Sequence, residues 1–246
     1  MQMKKHLIII ASGSVGFQLL SWLIKKKSKI FFVLSTRKKT DTQIQELCKK
    51  NKINYSIYSN SKINKIFFNS PKNSYWLLSL WNPFILDLKL IEYAYDTLNL
   101  HPSYLPYVRG NDTAAWTLVT RNIAGVSINR LHKRIDCGDI WVRKKIKYNV
   151  KTKGIELYEI LLKEIVTLFK MNWSKIYEKK INMTKNTCNN FIKSRRDTNL
   201  NRVIYLDKKY KASELIFKIL AHDFSKKSSA FFIYNKKRYK VRINIE

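Results

Sequence analysis

The first hundred residues alternate short apolar runs with longer segments in which apolar residues recur every three or four positions. The near-continuous runs, which predict strands, are HLIIIA (6–11), KIFFVLS (29–35), KINYSIY and SYWLLSLW (74–81). The helical period follows the first run and returns in TDTQIQELCKKN (40–51), where Thr40 or Asp41 is the predicted N-cap. Strands that are apolar on both faces and alternate with helices favour a parallel sheet covered on both sides. The pattern therefore predicts a doubly wound α/β domain with a mainly parallel sheet.

The second half of the chain continues this pattern and then changes character. IAGVSINRL (123–131) and DIWVRKKIKYNV (139–150) predict two more strands, and a long amphipathic helix follows. Residues 180–201 are polar and irregular, which indicates a linker. Beyond them, ASELIFKILAH predicts a short helix and SAFFIYNKKRYKVRINI a hairpin that turns at Asn235-Lys236. We therefore expect a main domain (1–179), a linker (180–201) and a small C-terminal α+β unit (202–246).

The turn after the first strand contains Gly13 and Gly16, which flank the start of a helix. Free N–H groups at such a turn can hold an anion, and this makes Gly13 and Ser14 candidates for binding a substrate phosphate. The alternative is that glycine serves only to make the turn tight. The full dinucleotide fingerprint, with a third glycine and an acidic residue about 20 positions later, is absent.

The formal net charge is +31, from 48 Lys and Arg against 17 Asp and Glu. Most of these basic residues are lysines scattered among Ile and Asn, a pattern typical of a genome biased towards A/T-rich codons. Contact with a polyanion is the alternative, since scattered lysine still raises non-specific affinity. No apolar run approaches the roughly 20 residues of a membrane-spanning helix, so no membrane contact is expected.

Two features of the sequence, the N-terminus and the cysteines, bear on the cellular location. The N-terminus MQMKKHLIIIASG mimics a signal peptide, but LIII is too short for its apolar region and is better interpreted as a strand. The three cysteines (Cys48, Cys137 and Cys188) have neither close pairing nor the spacing of a metal site. This favours a reducing compartment, the cytoplasm, and no bound metal.

Asn99, His101 and Asp136 form the chemically most informative set. Asn99 and His101 are two positions apart, so on an extended strand both side chains point to the same side. Pro102 and Pro106 keep the next segment out of a helix, and Asp136 lies in the link between two strands. Such a set suits acyl transfer between amines: the imidazole takes a proton, the carboxylate stabilises the imidazolium, and the carboxamide binds the oxyanion. Each residue alone would be interpreted as a turn residue.

Two segments, NLHPSYLPYVRG (99–110) and GVSINRLHKRIDCGDIWVRKKI (125–146), resemble the folate-dependent formyltransferase family. That family carries N-x-H-P-S-x-L-P-x-x-R-G followed by G-V-T-[IV]-x and D-x-G-x-[IL], in this order and spacing. The resemblance implies a Rossmann-like fold, 10-formyltetrahydrofolate as donor, and Asn99, His101 and Asp136 as catalytic triad. LSLWNPFIL (78–86) resembles the hinge along the folate cleft. The resemblance thus implies folate contacts from Leu80, Trp81, Asn82, Pro83, Cys137, Gly138, Asp139 and Ile140.

Three positions depart from the family pattern. Ser127 replaces the usual Thr and keeps the hydroxyl, Asn129 stands where many members have His, and Cys137 stands where Thr is common. None of the three belongs to the triad. We therefore still expect formyltransferase activity, with an affinity for the pterin ring that could differ.

The acceptor is suggested by the segment that follows the motif. Trp116 stands where sugar N-formyltransferases commonly have Trp-Ala-Ile, and the tail resembles their short C-terminal unit. The 46 residues after Leu200 are too few for the barrel that methionyl-tRNA enzymes append. We therefore expect a nucleotide-linked amino sugar of surface-glycan biosynthesis as acceptor, with Arg109 and Trp116 near it.

Two other functions stay open at this point. One is a methionyl-tRNA formyltransferase with a reduced C-terminal domain, which would need a basic stripe starting near Lys193 and Arg195. The other is a non-catalytic RNA-binding module built on an old enzyme fold. The particular sugar, its nucleotide carrier and the existence of a homodimer are also left open by the sequence.

Overall fold

The computed structural model of this protein describes residues 5–36, 41–69, 71–188, 191–225 and 228–246. The chain divides into two compact units. The first unit comprises residues 1–101, 128–142 and 166–185, and the second comprises residues 102–127, 143–165 and 186–246. Of the two predicted N-cap residues of the second helix, Thr40 lies outside the described residues.

The secondary structure alternates strands and helices as the apolar pattern predicts. The strands are β1 (His6–Ala11), β2 (Ile30–Ser35), β3 (Tyr55–Ile57), β4 (Tyr75–Leu80), β5 (Asp96–His101), β6 (Arg109–Gly110), β7 (Ala124–Asn129), β8 (Ile140–Ile146), β9 (Ile192–Lys193), β10 (Ala230–Tyr234) and β11 (Lys237–Val241). The helices are α1 (Gly13–Lys25), α2 (Thr42–Lys50), α3 (Asn60–Phe68), α4 (Leu88–Tyr93), α5 (Thr113–Thr120), α6 (Gly154–Tyr177), α7 (Arg195–Asn201) and α8 (Ala212–Ala221).

Seven strands form the main sheet in the order β3-β2-β1-β4-β5-β7-β8. The pairs β2–β3, β1–β2, β1–β4 and β4–β5 are parallel. A separate two-stranded antiparallel sheet, β10–β11, lies near the C-terminus. The predicted fold class, a Rossmann-like α/β fold with a small C-terminal α+β appendage, is confirmed.

Burial on both faces explains why the central strands are apolar without interruption. Ile8 and Ile10 of β1 belong to a cluster with Phe67 of α3 and Leu90 of α4. Leu7, the neighbour of Ile8, points to the opposite face and is also fully buried. A strand buried on both faces has no position for a solvent-facing polar residue.

The strand order reverses beside β1, because β2 continues the sheet on one side and β4 on the other. In open α/β sheets, the crevice beyond the carboxyl ends of the strands at such a switch point is the usual place for a ligand. Gly13 begins α1 directly after the turn that follows β1, and the segment after β4 begins at Trp81. The fold therefore brings the predicted phosphate turn and the predicted folate hinge to the same edge of the sheet.

The segment predicted as a linker is more ordered than its polar composition indicates. Within residues 180–201 the chain forms the short strand β9 and the helix α7. A capping box starts α7, in which the Ser194 hydroxyl accepts the Asp197 N–H and the Asp197 carboxylate accepts the Ser194 N–H. Local hydrogen bonding at the helix start thus offsets the lack of an apolar stripe. The prediction that the whole segment is irregular does not hold at β9 and α7, and its role as a linker between two domains stays a prediction.

The C-terminal helix and hairpin follow the sequence prediction. Strands β10 and β11 pair antiparallel from Ala230↔Val241 to Tyr234↔Lys237. Asn235 and Lys236 at the turn have φ values of 47° and 61°, which a two-residue hairpin turn of type I′ requires. The predicted turn position is therefore confirmed.

The cysteines depart from the expectation drawn from their spacing. Cys137 and Cys188 are disulfide-bonded, whereas Cys48 is a buried free thiol whose pKa is raised to about 11 by burial. The cysteines therefore no longer support the expectation of a cytoplasmic location. No helix among the described residues has the length and apolar character needed to cross a bilayer.

His222 in the second unit makes stability depend on pH. Its ring nitrogen Nε2 is 2.7 Å from Asn201 Oδ1, and burial, aided by Arg202 and Lys218, lowers its pKa from 6.5 to about 3. The folded chain thus keeps this ring neutral while the unfolded chain protonates it below pH 6.5. The stabilisation is complete above that value and is lost as the pH falls towards 3.

We expect the free energy of unfolding to fall by about 2 kcal/mol from this source between pH 7 and pH 5. Denaturant unfolding at both pH values should show a smaller drop for His222→Gln than for the wild type. His6→Gln is the matched control, because His6 is exposed and its loss should leave the wild-type drop in place. Equal drops in all three proteins would contradict the assignment.

Candidate active site

Asn99 lies on β5 with its side-chain amide held in one orientation by the neighbouring strand. Ser79 of β4 is in register with Asn99, and its hydroxyl donates a hydrogen bond of 2.8 Å to Asn99 Oδ1. Ser79 is buried, so this contact is shielded from water. With Oδ1 occupied, the Nδ2 group is the part of Asn99 that is directed towards other partners.

His101, Asn99 and Asp136 meet at the carboxyl end of β5. Asp136 Oδ1 is 3.4 Å from His101 Nδ1 and 3.4 Å from Asn99 Nδ2. Asn129 Oδ1 is also 3.4 Å from Asn99 Nδ2. The structure thus brings the three predicted residues together. Asp136 thus lies beside Nδ1 of the imidazole.

Asp136 belongs to a loop, residues 130–139, that is fixed at its start and end. Arg130 donates from Nε and Nη2 to the two carboxylate oxygens of Asp96, at 2.7 and 2.5 Å. Asp96 is buried at the start of β5 and also pairs with Lys179 at 3.1 Å. The N–H of Arg130 donates to the carbonyl of Asp139, which closes the loop. A bidentate ion pair thus holds the base of the loop that carries the catalytic candidate.

Within this loop, close backbone approach requires glycine at position 138. A Cβ atom there would lie 2.0 Å from the carbonyl oxygen of Arg130. Asp136 itself has φ of 54°, in the left-handed region that Asp tolerates better than most residues. These backbone constraints set the direction in which the Asp136 carboxylate leaves the loop.

The proline-rich segment after His101 is held by two buried hydroxyl groups in the second unit, those of Ser127 and Thr113. Ser127 Oγ accepts the N–H of Leu105 at 3.0 Å and donates to the carbonyl of Ser103 at 2.7 Å. Thr113 Oγ1 donates to the carbonyl of Pro102, and the Leu105-Pro106 peptide is cis. Ser127, which departs from the usual Thr, thus supplies the hydroxyl that this loop needs.

Residues 5–164, well over half of the chain, match the family model described as formyl transferase. The chain belongs to the formyl transferase family. The matched range includes β1 to β8, and it contains Asn99, His101 and Asp136.

The fold of this formyl transferase is similar to several solved structures. A 4-N formyltransferase from Francisella tularensis superposes with a TM-score of 0.83 at 19% identity, over 99% of this chain and 98% of that one. A sugar N-formyltransferase from Shewanella sp. FDAARGOS_354 gives 0.79 at 16% identity, over 98% of each chain. An N-formyltransferase from Helicobacter canadensis, in complex with folinic acid and dTDP-3-aminofucose, gives 0.74 at 20% identity, over 95% and 85%. At these identities the likeness is one of fold.

Among curated proteins, the chain is similar to methionyl-tRNA formyltransferase from Mycoplasma pneumoniae. The two are 34% identical over 68 residues, which are 27% of this chain and 22% of that protein. The match thus spans only about a fifth of the relative.

The predicted folate hinge of this formyl transferase has an unusual backbone and an exposed apolar flank. Trp81 has φ of 68°, and the Asn82 side chain bonds both the N–H and the carbonyl of Phe84. Phe84 stacks on Tyr58 with ring centroids 4.2 Å apart, and Ile85 is 78% exposed. The segment therefore has a fixed backbone and presents apolar surface to solvent.

The predicted phosphate turn is occupied by a carboxylate from within the protein. Asp41 Oδ1 accepts the N–H of Gly13 at 2.8 Å, and Asp41 Oδ2 accepts the N–H of Thr36 at 3.0 Å. Burial raises the pKa of Asp41, but hydrogen bonds from Thr36, Gly13 and Ser12 outweigh it, so the pKa lies below its ordinary value. The Gly13 N–H is thus already used, and exposed Ser14 is the remaining donor of the predicted pair.

Arg109 and Trp116, predicted to lie near the acceptor, are both buried in the second unit. Arg109 lies on β6, which pairs with β9. Trp116 Nε1 donates to Thr198 Oγ1 at 2.9 Å, and Lys193 Nζ lies 4.7 Å from its ring centroid. The indole N–H is therefore committed to α7, and a role for either residue in acceptor binding stays a prediction.

Two polar residues of the site were outside the predicted set. Ser79 orients Asn99, and Asn129 contacts its amide and donates to the carbonyl of Arg130 at 2.9 Å. Ser79 had a signal in the sequence, since it interrupts an otherwise apolar strand (LLSL). Within the described residues, no group of three or more His, Cys, Asp or Glu is arranged to hold a metal ion.

Proposed function

We propose that this formyl transferase moves a formyl group from 10-formyltetrahydrofolate to the amino group of a nucleotide-linked amino sugar. The convergence of Asn99, His101 and Asp136 at the carboxyl end of β5 carries the proposal of formyl transfer. The sugar as acceptor is supported by the likeness in fold, over 98% or more of both chains, to proteins described as a 4-N formyltransferase and a sugar N-formyltransferase.

The three residues divide the work of an acyl transfer between two amines. His101 Nε2 takes the proton of the acceptor amine as its nitrogen forms a bond to the formyl carbon. Asn99 Nδ2 donates a hydrogen bond to the oxyanion that develops on the formyl oxygen. Asp136 holds the imidazole by Nδ1 and stabilises its charge. When the bond from the formyl carbon to the folate nitrogen breaks, His101 returns the proton to that nitrogen.

The hinge after β4 has the features that a folate donor requires. The fixed backbone at Trp81 and Asn82 and the exposed apolar surface of Phe84 and Ile85 suit a flat ring with polar edges. Leu80 to Pro83 would supply one wall for it and Cys137 to Ile140 the other. The donor supplies the activated formyl group, and the protein supplies its orientation and the proton transfers.

Methionyl-tRNA is the second candidate acceptor because of the 34% identity to the Mycoplasma pneumoniae enzyme over 68 residues. That match covers only 27% of this chain and 22% of the Mycoplasma pneumoniae enzyme. It therefore supports the chemistry more directly than the acceptor.

The acceptor is tested by offering a panel of amines with 10-formyltetrahydrofolate in a single-turnover assay. We expect formylation of at least one 3-amino or 4-amino sugar linked to dTDP, UDP or GDP, and persistence of the reaction at about 0.2 M salt. His101→Gln protein gives the background. Formylation of methionyl-tRNA together with no reaction on any amino sugar would overturn the proposed acceptor and leave the chemistry intact.

A further inference from the structure

A cavity of about 500 Å³ lies in the first unit at the amino ends of the central strands. Leu7 of β1 and Trp76 of β4 line it, together with residues from the last turns of α1 and α6. Trp76 and Ser79 are three residues apart on β4, so about 10 Å separates the two levels of the sheet. The cavity therefore lies at the edge opposite to Asn99 and His101, and the proposed formyl transfer makes no use of it.

One wall of the cavity is a packed aromatic cluster. Trp76 and Trp173 have ring centroids 5.7 Å apart, and Trp173 and Tyr177 have centroids 5.2 Å apart. Trp22 of α1 also lines the cavity and is only partly buried. Rings fixed in this way offer a flat apolar surface that loses little entropy when a planar ligand binds.

Trp76 also carries a hydrogen-bond donor without a partner. Its side chain is fully buried, and within the described chain its indole Nε1–H has no acceptor. Buried indole N–H groups normally form a hydrogen bond, because a buried donor without an acceptor costs about 1–3 kcal/mol. An acceptor atom of a molecule bound in the cavity would satisfy it.

The charge around the cavity is strongly positive. Five lysines line it against one carboxylate: Lys5, Lys26, Lys27, Lys29 and Lys170 against Glu178. Glu178 is 2.7 Å from Lys180, outside the lining. Lys27, Lys29 and Lys170 are exposed, and none of them forms an ion pair with a carboxylate in the part of the chain that the structure describes. The lining thus suits a ligand with at least two negative charges.

We propose that this cavity is a second ligand site that takes a nucleoside diphosphate or triphosphate. The lysines would bind the phosphates, the aromatic wall would contact the base, and Trp76 Nε1 would donate to an acceptor of the base or sugar. The volume falls within the range of small-molecule sites, about 300–1,000 Å³. A nucleic-acid chain is less favoured, because it would contact the lysines while leaving the buried indole of Trp76 without an acceptor.

Calorimetric titration of the full chain with ADP tests the site. We expect the triple variant Lys27→Ala, Lys29→Ala, Lys170→Ala to weaken ADP binding by at least about tenfold, since three unpaired cations are lost. The matched control Lys49→Ala, Lys50→Ala, Lys65→Ala removes three exposed lysines elsewhere in the unit and should change it by less than about twofold. Equal affinity in the cavity variant and the wild type would overturn the proposal.

Two further titrations separate the parts of the ligand. Pyrophosphate and adenosine should each bind at least about tenfold more weakly than ADP, because each lacks one of the two contacts. Pyrophosphate binding as tight as ADP binding would overturn the role of the aromatic wall. The preference for a small ligand would be overturned if tRNA displaced ADP from the wild type and if the cavity variant no longer bound tRNA. None of these measurements involves formyl transfer, so failure of the proposed function and failure of this site give different results.

Discussion

Asn99→Ala is expected to lower kcat for formyl transfer by about 10²–10³ while leaving the KM for the acceptor nearly unchanged. The Nδ2 group is the donor that the Ser79 contact directs away from β4, and its loss removes the hydrogen bond to the oxyanion. Because that oxyanion exists only during the reaction, the cost falls on kcat. The measurement is steady-state kinetics on whichever amine the acceptor panel identifies.

Ser79→Ala provides the comparison for Asn99. It removes the hydroxyl that orients the amide but keeps the amide itself, so we expect a loss of only about three- to tenfold. Thermal unfolding of both variants shows whether the sheet is intact. Near-normal kcat in Asn99→Ala, with a folded protein, would remove Asn99 from the catalytic set.

His101→Gln and Asp136→Asn are each expected to lower the rate by at least about 100-fold without unfolding the protein. Glutamine at position 101 cannot take the proton of the acceptor amine. Asparagine at position 136 keeps the shape but not the charge that stabilises the imidazolium across 3.4 Å. Single-turnover formylation measures the chemical step directly.

Two further variants test this second prediction: the double variant His101→Gln, Asp136→Asn, and a substitution at a distant histidine. Because His101 and Asp136 act as one unit, the double variant should be little slower than His101→Gln alone. His6→Gln, at the amino end of β1, should keep the wild-type rate. Losses that multiply in the double variant would show that Asp136 acts independently of the imidazole.

The sheet was predictable from the sequence because each central strand is buried on both faces. Uninterrupted apolar runs such as LIII fit a strand that is buried on both faces, and the helices between them indicate parallel connections. The helices α3, α4, α5 and α7 were not predicted. Helix α7 depends on a capping box of two side chains, which composition alone does not reveal.

The candidate triad came from the sequence because it lies in one dense motif and one later loop. The residues that hold the triad in place could not be predicted, since the contact of Ser79 with Asn99 depends on the register of β4 with β5. The disulfide bonds of Cys137 and Cys188 were missed because the spacing of the cysteines in the sequence gave no sign of them. The basic cavity is formed by residues from several separate segments, and in the sequence its lysines looked like part of a uniform excess.

The clamp at Asp96 joins three segments that lie far apart along the chain. Asp96 and Arg130 are 34 positions apart, and the third member, Lys179, comes still later in the chain. Bringing such distant residues together costs loop-closure entropy, which the contacts of the clamp must offset. A partly folded chain that holds β1 to β4 thus has no fixed Asp136 loop. The geometry of the Asp136 loop therefore depends on residues from three separate segments of the chain, and a chain cut before Lys179 would lack one member of the clamp.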